Sequence, residues 1–154
     1  MTLGSGFRVL IVEDEILLAM ELQWIIEDAG HQVVGHALDS RAACRMADEF
    51  HPDVVLLDLN LRDGPTGIEV ADRMKDRSDV AVVFVTANAG RLAPSYHGAL
   101  GAVDKPFTAA TIRSVLSYVE RRIISGADGG APPVGLRLAG GGVEHGMWNR
   151  AEVA

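Results

Sequence analysis

Asp53-Val54-Val55-Leu56-Leu57-Asp58 is an apolar, β-branched run that ends abruptly in a carboxylate, and Leu59-Asn60-Leu61-Arg62-Asp63-Gly64 follows it as a loop. A continuous apolar run of this length, bounded by turn residues, predicts a strand buried on both faces of a parallel sheet. The residue that closes such a strand lies at the carboxyl edge of the sheet, where open α/β folds bind their ligands. Asp58 is therefore the leading candidate for a reactive group.

The rest of the chain repeats the pattern. Phe7–Val12 is a first strand running into Glu13-Asp14-Glu15. A helix is expected from about Glu15 to Ala29, burying Leu18, Leu22, Ile25 and Ala29, with Trp24 as a packing residue and Gly30 as its stop. Gln32–Ala37 reads as a short strand. Asp39 or Ser40 caps a helix to about Phe50 that buries Ala43, Met46 and Ala47. Thr66 or Gly67 opens a third helix to about Lys75, with Ile68, Ala71 and Met74 inward. Val80–Thr86 is a strand ending in a hydroxyl. In residues 87–100, Gly90, Pro94 and Gly98 allow only a short or irregular helix. Ala102–Lys105 is a brief strand ending in an ammonium, and Thr108 caps a last helix striped by Ile112, Val115, Leu116, Val119 and Ile123. Five strands alternating with about five helices predict an α/β fold with a five-stranded parallel, doubly wound sheet.

Composition narrows the function. At 154 residues the chain suits one domain with a core of useful size. A net charge of −7, from 21 acidic and 14 basic residues, argues against nucleic acid as the partner. Cys44 is the single cysteine and reads as a core thiol, and the five histidines have no ligand spacing. No signal peptide and no apolar stretch of membrane-spanning length is evident, so the expectation is a soluble, cytoplasmic protein away from membranes. Residues 125–154 hold eight glycines and the Pro132-Pro133 pair, and read as a tail following a domain at 1–124. Its apolar islands are Val134–Leu138 and Met147-Trp148. The plain reading of this tail is a flexible extension with no specific role, and the sharper one is that Val134–Leu138 or Trp148 docks on the fourth-helix/fifth-strand face, of its own chain or of a neighbour.

In a parallel sheet the strand ends share one edge, which brings together Glu13, Asp14, Asp58, Thr86 and Lys105. Two unit charges about 4 Å apart cost on the order of 4 kcal/mol at an effective dielectric near 20, so three neighbouring carboxylates invite a divalent cation. Oxygen donors without Cys or His favour Mg²⁺ over zinc. A cation opposite a lysine is a place to stabilise phosphoryl oxygens. Taken singly, each residue has an ordinary explanation as a cap, a turn or a strand residue. Taken together, in strand order, they do not.

The set Glu13-Asp14, Asp58, Thr86 and Lys105-Pro106 resembles the receiver domain of two-component response regulators, the CheY-like, flavodoxin-like family, over about residues 6–124. The resemblance implies that Asp58 is the phosphoacceptor, taking its phosphoryl group from a sensor histidine kinase or a histidine phosphotransfer protein. It implies Mg²⁺ held by Glu13, Asp14, Asp58 and the backbone carbonyl of Asn60, with Thr86 and Lys105 on phosphoryl oxygens and a cis bond before Pro106. Such a protein is not an enzyme beyond self-phosphorylation and self-dephosphorylation. Three features depart from the family. Ala102 stands where most receivers carry Tyr or Phe, the Thr86–Lys105 interval is short, and Phe84-Val85-Thr86-Ala87 is a variant of the Phe-Ala-Thr-Gly signature of a stand-alone subgroup. With neither a helix-turn-helix pattern nor a basic patch after residue 125, the expectation is a single-domain regulator. It would act by protein contact or as a phosphate sink, with a possible homodimer through the fourth-helix, fifth-strand and fifth-helix face or through the tail. The rival readings are a Mg²⁺-dependent phosphatase with Asp58 as nucleophile, for which Asn60 stands where a second acid is wanted; a flavodoxin-like small-molecule binder, for which Glu13-Asp14-Glu15 stands where a phosphate loop is wanted; and a docking module without phosphorylation.

Overall fold

A computed structural model describes residues 6–125 and 130–139 of the chain. Its strands are β1 (Arg8–Val12), β2 (Gln32–Ala37), β3 (Val54–Leu57), β4 (Ala81–Thr86), β5 (Gly101–Asp104) and β6 (Leu136–Leu138). Its α-helices are α1 (Ile16–Asp28), α2 (Ser40–Phe50), α3 (Gly67–Met74) and α4 (Ala109–Ser125). The sheet order is β2-β1-β3-β4-β5-β6. β1 to β5 are parallel, and β6 pairs antiparallel with β5.

The fold class is as expected from the sequence, with one strand more than the five anticipated. Both faces of the sheet are buried, so the strands alternate between two cores rather than between core and water. Val9, Ile11, Val54, Leu56, Val83, Val85 and Val103 pack on α1 and α4. Leu10, Val12, Val55, Leu57, Val82, Phe84 and Ala102 pack on α2 and α3. That double burial is why the strands read as unbroken apolar runs.

Several side chains sit differently from expectation. α1 buries Ala19, Leu22, Ile25 and Ile26, while Ala29 is exposed and Leu18 only half-buried, a face rotated by about one residue. Trp24 is not a packing residue: it is exposed, with the Arg113 guanidinium 5.8 Å from its ring centre. In α3 Ala71 and Met74 are buried as expected, Val70 is buried with them, and Ile68 is only half-buried. Met46 likewise packs against the core only at its margin. The caps agree better, since Asp39 accepts from the Ala42 N–H at 2.8 Å and Thr108 from the Thr111 N–H at 3.1 Å.

Between β4 and β5 the chain makes two 3₁₀ turns, at Ala89–Arg91 and Tyr96–Gly98, instead of a helix. Tyr96, His97 and Gly98 are all left-handed, with φ of 53°, 50° and 84°. Tyr96 is buried and plugs the segment onto the core shared with Leu92 and Ala99. Peptide bonds before Pro94 and Pro106 are cis. Among the described residues no helix is long and apolar enough to cross a membrane. Trp148 lies outside the described residues.

Candidate functional site

The chain leaves β1 for β2 on one side and returns to place β3 on the other side of β1. That reversal opens a crevice at the carboxyl ends of β1 and β3, the usual ligand position in such sheets. Register then aligns the candidates. Val12 lies beside Leu57, so Glu13 and Asp58 leave the sheet at the same level, and Leu57 lies beside Phe84 two residues before Thr86. Thr86 in turn pairs with Asp104, which puts Lys105 just past the edge.

Glu13, Asp14 and Asp58 each offer a carboxylate oxygen within 4.8 Å of the others. Glu13 and Asp58 are almost fully buried, and Asp14 is half-buried. The Lys105 ammonium lies between them, its Nζ donating to Glu13 Oε1 at 2.7 Å and to Asp58 Oδ2 at 2.9 Å. The second Glu13 oxygen accepts from the Glu15 N–H at 3.0 Å, and Asp58 Oδ1 accepts from the Asn60 N–H at 3.4 Å. Thr86 is wholly buried, and its Oγ1 accepts from the Asn88 N–H at 3.2 Å, a bond that does not use the hydroxyl proton. The structure thus joins Glu13, Asp14, Asp58 and Lys105 directly. It places Thr86 on the adjacent strand end, bonded to its own loop rather than to the carboxylates. An open pocket of about 360 Å³ adjoins Lys105 on the α1 side, bordered by Leu18, Ala87, Pro106 and Phe107.

Burial pushes the Glu13 carboxyl above its ordinary value, and the Lys105 hydrogen bond offsets only part of that. Burial also disfavours the Lys105 charge, but the bonds to Glu13 and Asp58 outweigh it and hold the ammonium above its ordinary value. A carboxylate whose pKa is higher folded than unfolded stabilises the fold fully below its unfolded value, 4.5 here, and loses that contribution as pH rises through the folded value. In metal-free protein, Glu13→Gln is therefore expected to be more stable than wild type at pH 7.5 and indistinguishable from it at pH 4. The amide oxygen still accepts from Lys105. Urea unfolding at the two pH values checks this, and a Glu13→Gln variant less stable at pH 7.5 contradicts it.

Gly67 belongs to the site although nothing in the sequence marked it beyond a helix start. A Cβ there would lie 2.2 Å from the Asp58 carbonyl oxygen and 2.7 Å from the Leu59 Cα. The first turn of α3 thus rests on the backbone that carries Asp58, and its N–H donates to the Leu59 carbonyl at 2.9 Å.

Residues 9–117 match the family model for the response regulator receiver domain. The chain is 34% identical over 112 residues to the phyllosphere-induced regulator PhyR of Methylorubrum extorquens, covering 71% of this chain and 42% of that protein. It is 30% identical over 120 residues to the chemotaxis protein CheY of Thermotoga maritima, covering 75% of this chain and 99% of that one. The solution structure of the PhyR receiver domain of Erythrobacter litoralis superposes with a TM-score of 0.68 at 33% identity, over 75% of this chain and 90% of that one. The chain thus spans less than half the length of the Methylorubrum regulator it matches.

Proposed function

The chain belongs to the response regulator receiver domain family of two-component signalling, and from that membership we propose that Asp58 accepts a phosphoryl group from a histidine of a sensor kinase or phosphotransfer protein. The observation that carries this reading is the buried Asp58 carboxylate, bonded to Lys105 within a trio of acids at the carboxyl edge of the sheet. One Asp58 oxygen forms the new P–O bond while the P–N bond to the donor imidazole breaks, and the imidazole keeps the electron pair. Lys105 exchanges its carboxylate partner for a phosphoryl oxygen, and Thr86 has a hydroxyl proton for another. Gly67 holds the backbone behind Asp58 so that the carboxylate cannot retreat.

The donor set fits Mg²⁺: hard oxygens, no sulfur or imidazole, and three negative charges against one ammonium. Glu13, Asp14, Asp58 and the backbone carbonyl of Asn60 would hold it, and when bound it would neutralise charge building on the phosphoryl oxygens. Mg²⁺ at a hundred times its dissociation constant is expected to raise stability by about 2.7 kcal/mol. Asp14→Asn should shrink that gain, as read by thermal unfolding with and without the ion.

Output through protein contacts rather than nucleic acid accords with a net charge of −7. The test is incubation with a small-molecule phosphodonor and Mg²⁺ followed by intact mass. One adduct per chain, lost with EDTA, supports the reading. Turnover of many phosphoesters without an adduct points to a phosphatase, and neither result leaves a docking module.

A further inference from the structure

Asp58 and Asn60 belong to a loop, residues 58–66, in which Asn60, Arg62, Asp63 and Pro65 are exposed. Leu59 and Leu61 are buried and anchor it to the core. Leu61 and Gly64 close its tip with backbone bonds of 2.8 and 3.0 Å. Those contacts hold the loop to the core and to itself. Its placement relative to the Glu13 end of β1 runs through the turn at residues 37–40, between β2 and α2. There the Ala37 carbonyl accepts from the Glu13 N–H at 3.0 Å, and the Leu38 carbonyl accepts from the Arg62 N–H at 3.0 Å. One short turn therefore touches both acid-bearing strand ends.

Asp63 closes the brace. Its Oδ2 accepts from the Ser40 hydroxyl at 2.6 Å and its Oδ1 from the Thr66 hydroxyl at 2.5 Å, while both oxygens lie 3.3 Å from the Ser40 N–H. That N–H is a first-turn donor of α2 with no partner inside the helix, and Asp39 is already engaged by the Ala42 N–H. Thr66 leads straight into Gly67, whose N–H returns to the Leu59 carbonyl. One carboxylate thus links the first turns of α2 and α3 across the loop. An Asp-Gly pair at a loop tip needs only its backbone conformation, and Gly64 does have a φ of 116°. Three donors from the starts of two helices are more than such a turn requires. The Ser40 and Thr66 hydroxyls also hold the Asp63 carboxyl below its ordinary value, as bonds to the charged form do.

We infer that Asp63 is a positioning residue for the crevice: braced on Ser40 and Thr66, it fixes the loop that carries Asp58 and Asn60 against the β1 end that carries Glu13 and Asp14. It acts through that spacing and touches neither the phosphoryl group nor the ion. Spacing matters because a small divalent cation demands near-ideal geometry from its oxygen donors. The inference deepens the phosphoacceptor reading and rests on it.

The test measures Mg²⁺ affinity of the full chain by titration calorimetry, and amide hydrogen exchange of the metal-free protein. Asp63→Ala should weaken Mg²⁺ binding about tenfold. It should speed exchange at Asn60 and Arg62 about tenfold while leaving residues 83–85 as protected as in the wild type. Asp63→Asn should recover the wild-type affinity to within about twofold, because the amide accepts from one hydroxyl and donates to the other. Adding Ser40→Ala to Asp63→Ala should cost nothing further, as expected of two partners in one contact. An Asp63→Asn variant as weak as Asp63→Ala would reduce the effect to the loss of a charge. Unchanged affinity in Asp63→Ala would mean the loop is held without it. Either result overturns the inference. If the wild type itself binds no Mg²⁺ and takes no adduct, the phosphoacceptor reading fails instead, and the exchange rates at Asn60 and Arg62 still decide whether Asp63 is the brace.

Discussion

Asp58→Asn will fold and will take no phosphoryl group. Under conditions that give the wild type one adduct per chain, the variant's mass will not change. The amide is close in size to the carboxylate but has no charged oxygen to attack phosphorus, so the loss is complete rather than graded. The fold tolerates the change because it removes one of two almost fully buried carboxylates, and Lys105 keeps its 2.7 Å bond to Glu13. Stability is expected to move by no more than about 1 kcal/mol. The wild-type adduct should survive mild acid and be lost in base, as an acyl phosphate is. An adduct persisting on the Asp58→Asn variant would move the acceptor to another side chain and overturn the assignment.

The second large effect is expected at Gly67. The atoms a Cβ would strike are the Asp58 carbonyl oxygen at 2.2 Å, the Leu59 Cα at 2.7 Å and the Leu59 carbonyl oxygen at 2.9 Å. All are backbone, so no side-chain rotation relieves the contact. Gly67→Ala must push α3 away from the β3 end or push the Asp58 loop into the crevice. A loss of about 3 kcal/mol or more is expected, visible as a fall of on the order of 10 °C in Tm. Phosphorylation should slow by about tenfold or more, because a displaced carboxylate no longer meets its donor in line. Gly90→Ala is the control: nothing lies within 4 Å of a Cβ there, and its stability should stay within about 0.5 kcal/mol of wild type. A Gly67→Ala variant as stable and reactive as the wild type would show that the two loops are not in register contact.

What could be read in the sequence was whatever depends on order along one strand. β3 and β4 are apolar throughout because both of their faces are buried, so their ends, Asp58 and Thr86, stood out as polar residues. With the strands parallel, the gathering of Glu13, Asp14, Asp58 and Lys105 follows from topology alone. What could not be read depends on contacts between distant backbones. Gly67 looks like any helix-opening glycine until Asp58's carbonyl is found against it. The rotation of α1 was hidden because its exposed side carries Ile16, Leu17, Met20 and Trp24, so apolar spacing did not single out one face. β6 was hidden by composition. Glycine and proline around it signal a loop, while a three-residue Leu-Arg-Leu strand has a pattern too short to stand out. The apolar island at Val134–Leu138 was visible, and only the pairing partner shows that Leu136–Leu138 is the half that docks.

The crevice can also be described by its valence. Glu13, Asp14 and Asp58 contribute three negative charges and Lys105 one positive, a deficit of two. A divalent ion closes that deficit, whereas a monovalent ion leaves half of it and a trivalent ion overshoots. Because the carboxylates lie within 4.8 Å of one another, this arithmetic is set by the fold itself. On the proposed reading the crevice would discriminate among ions by charge before radius enters, and size would select only among the divalents that remain.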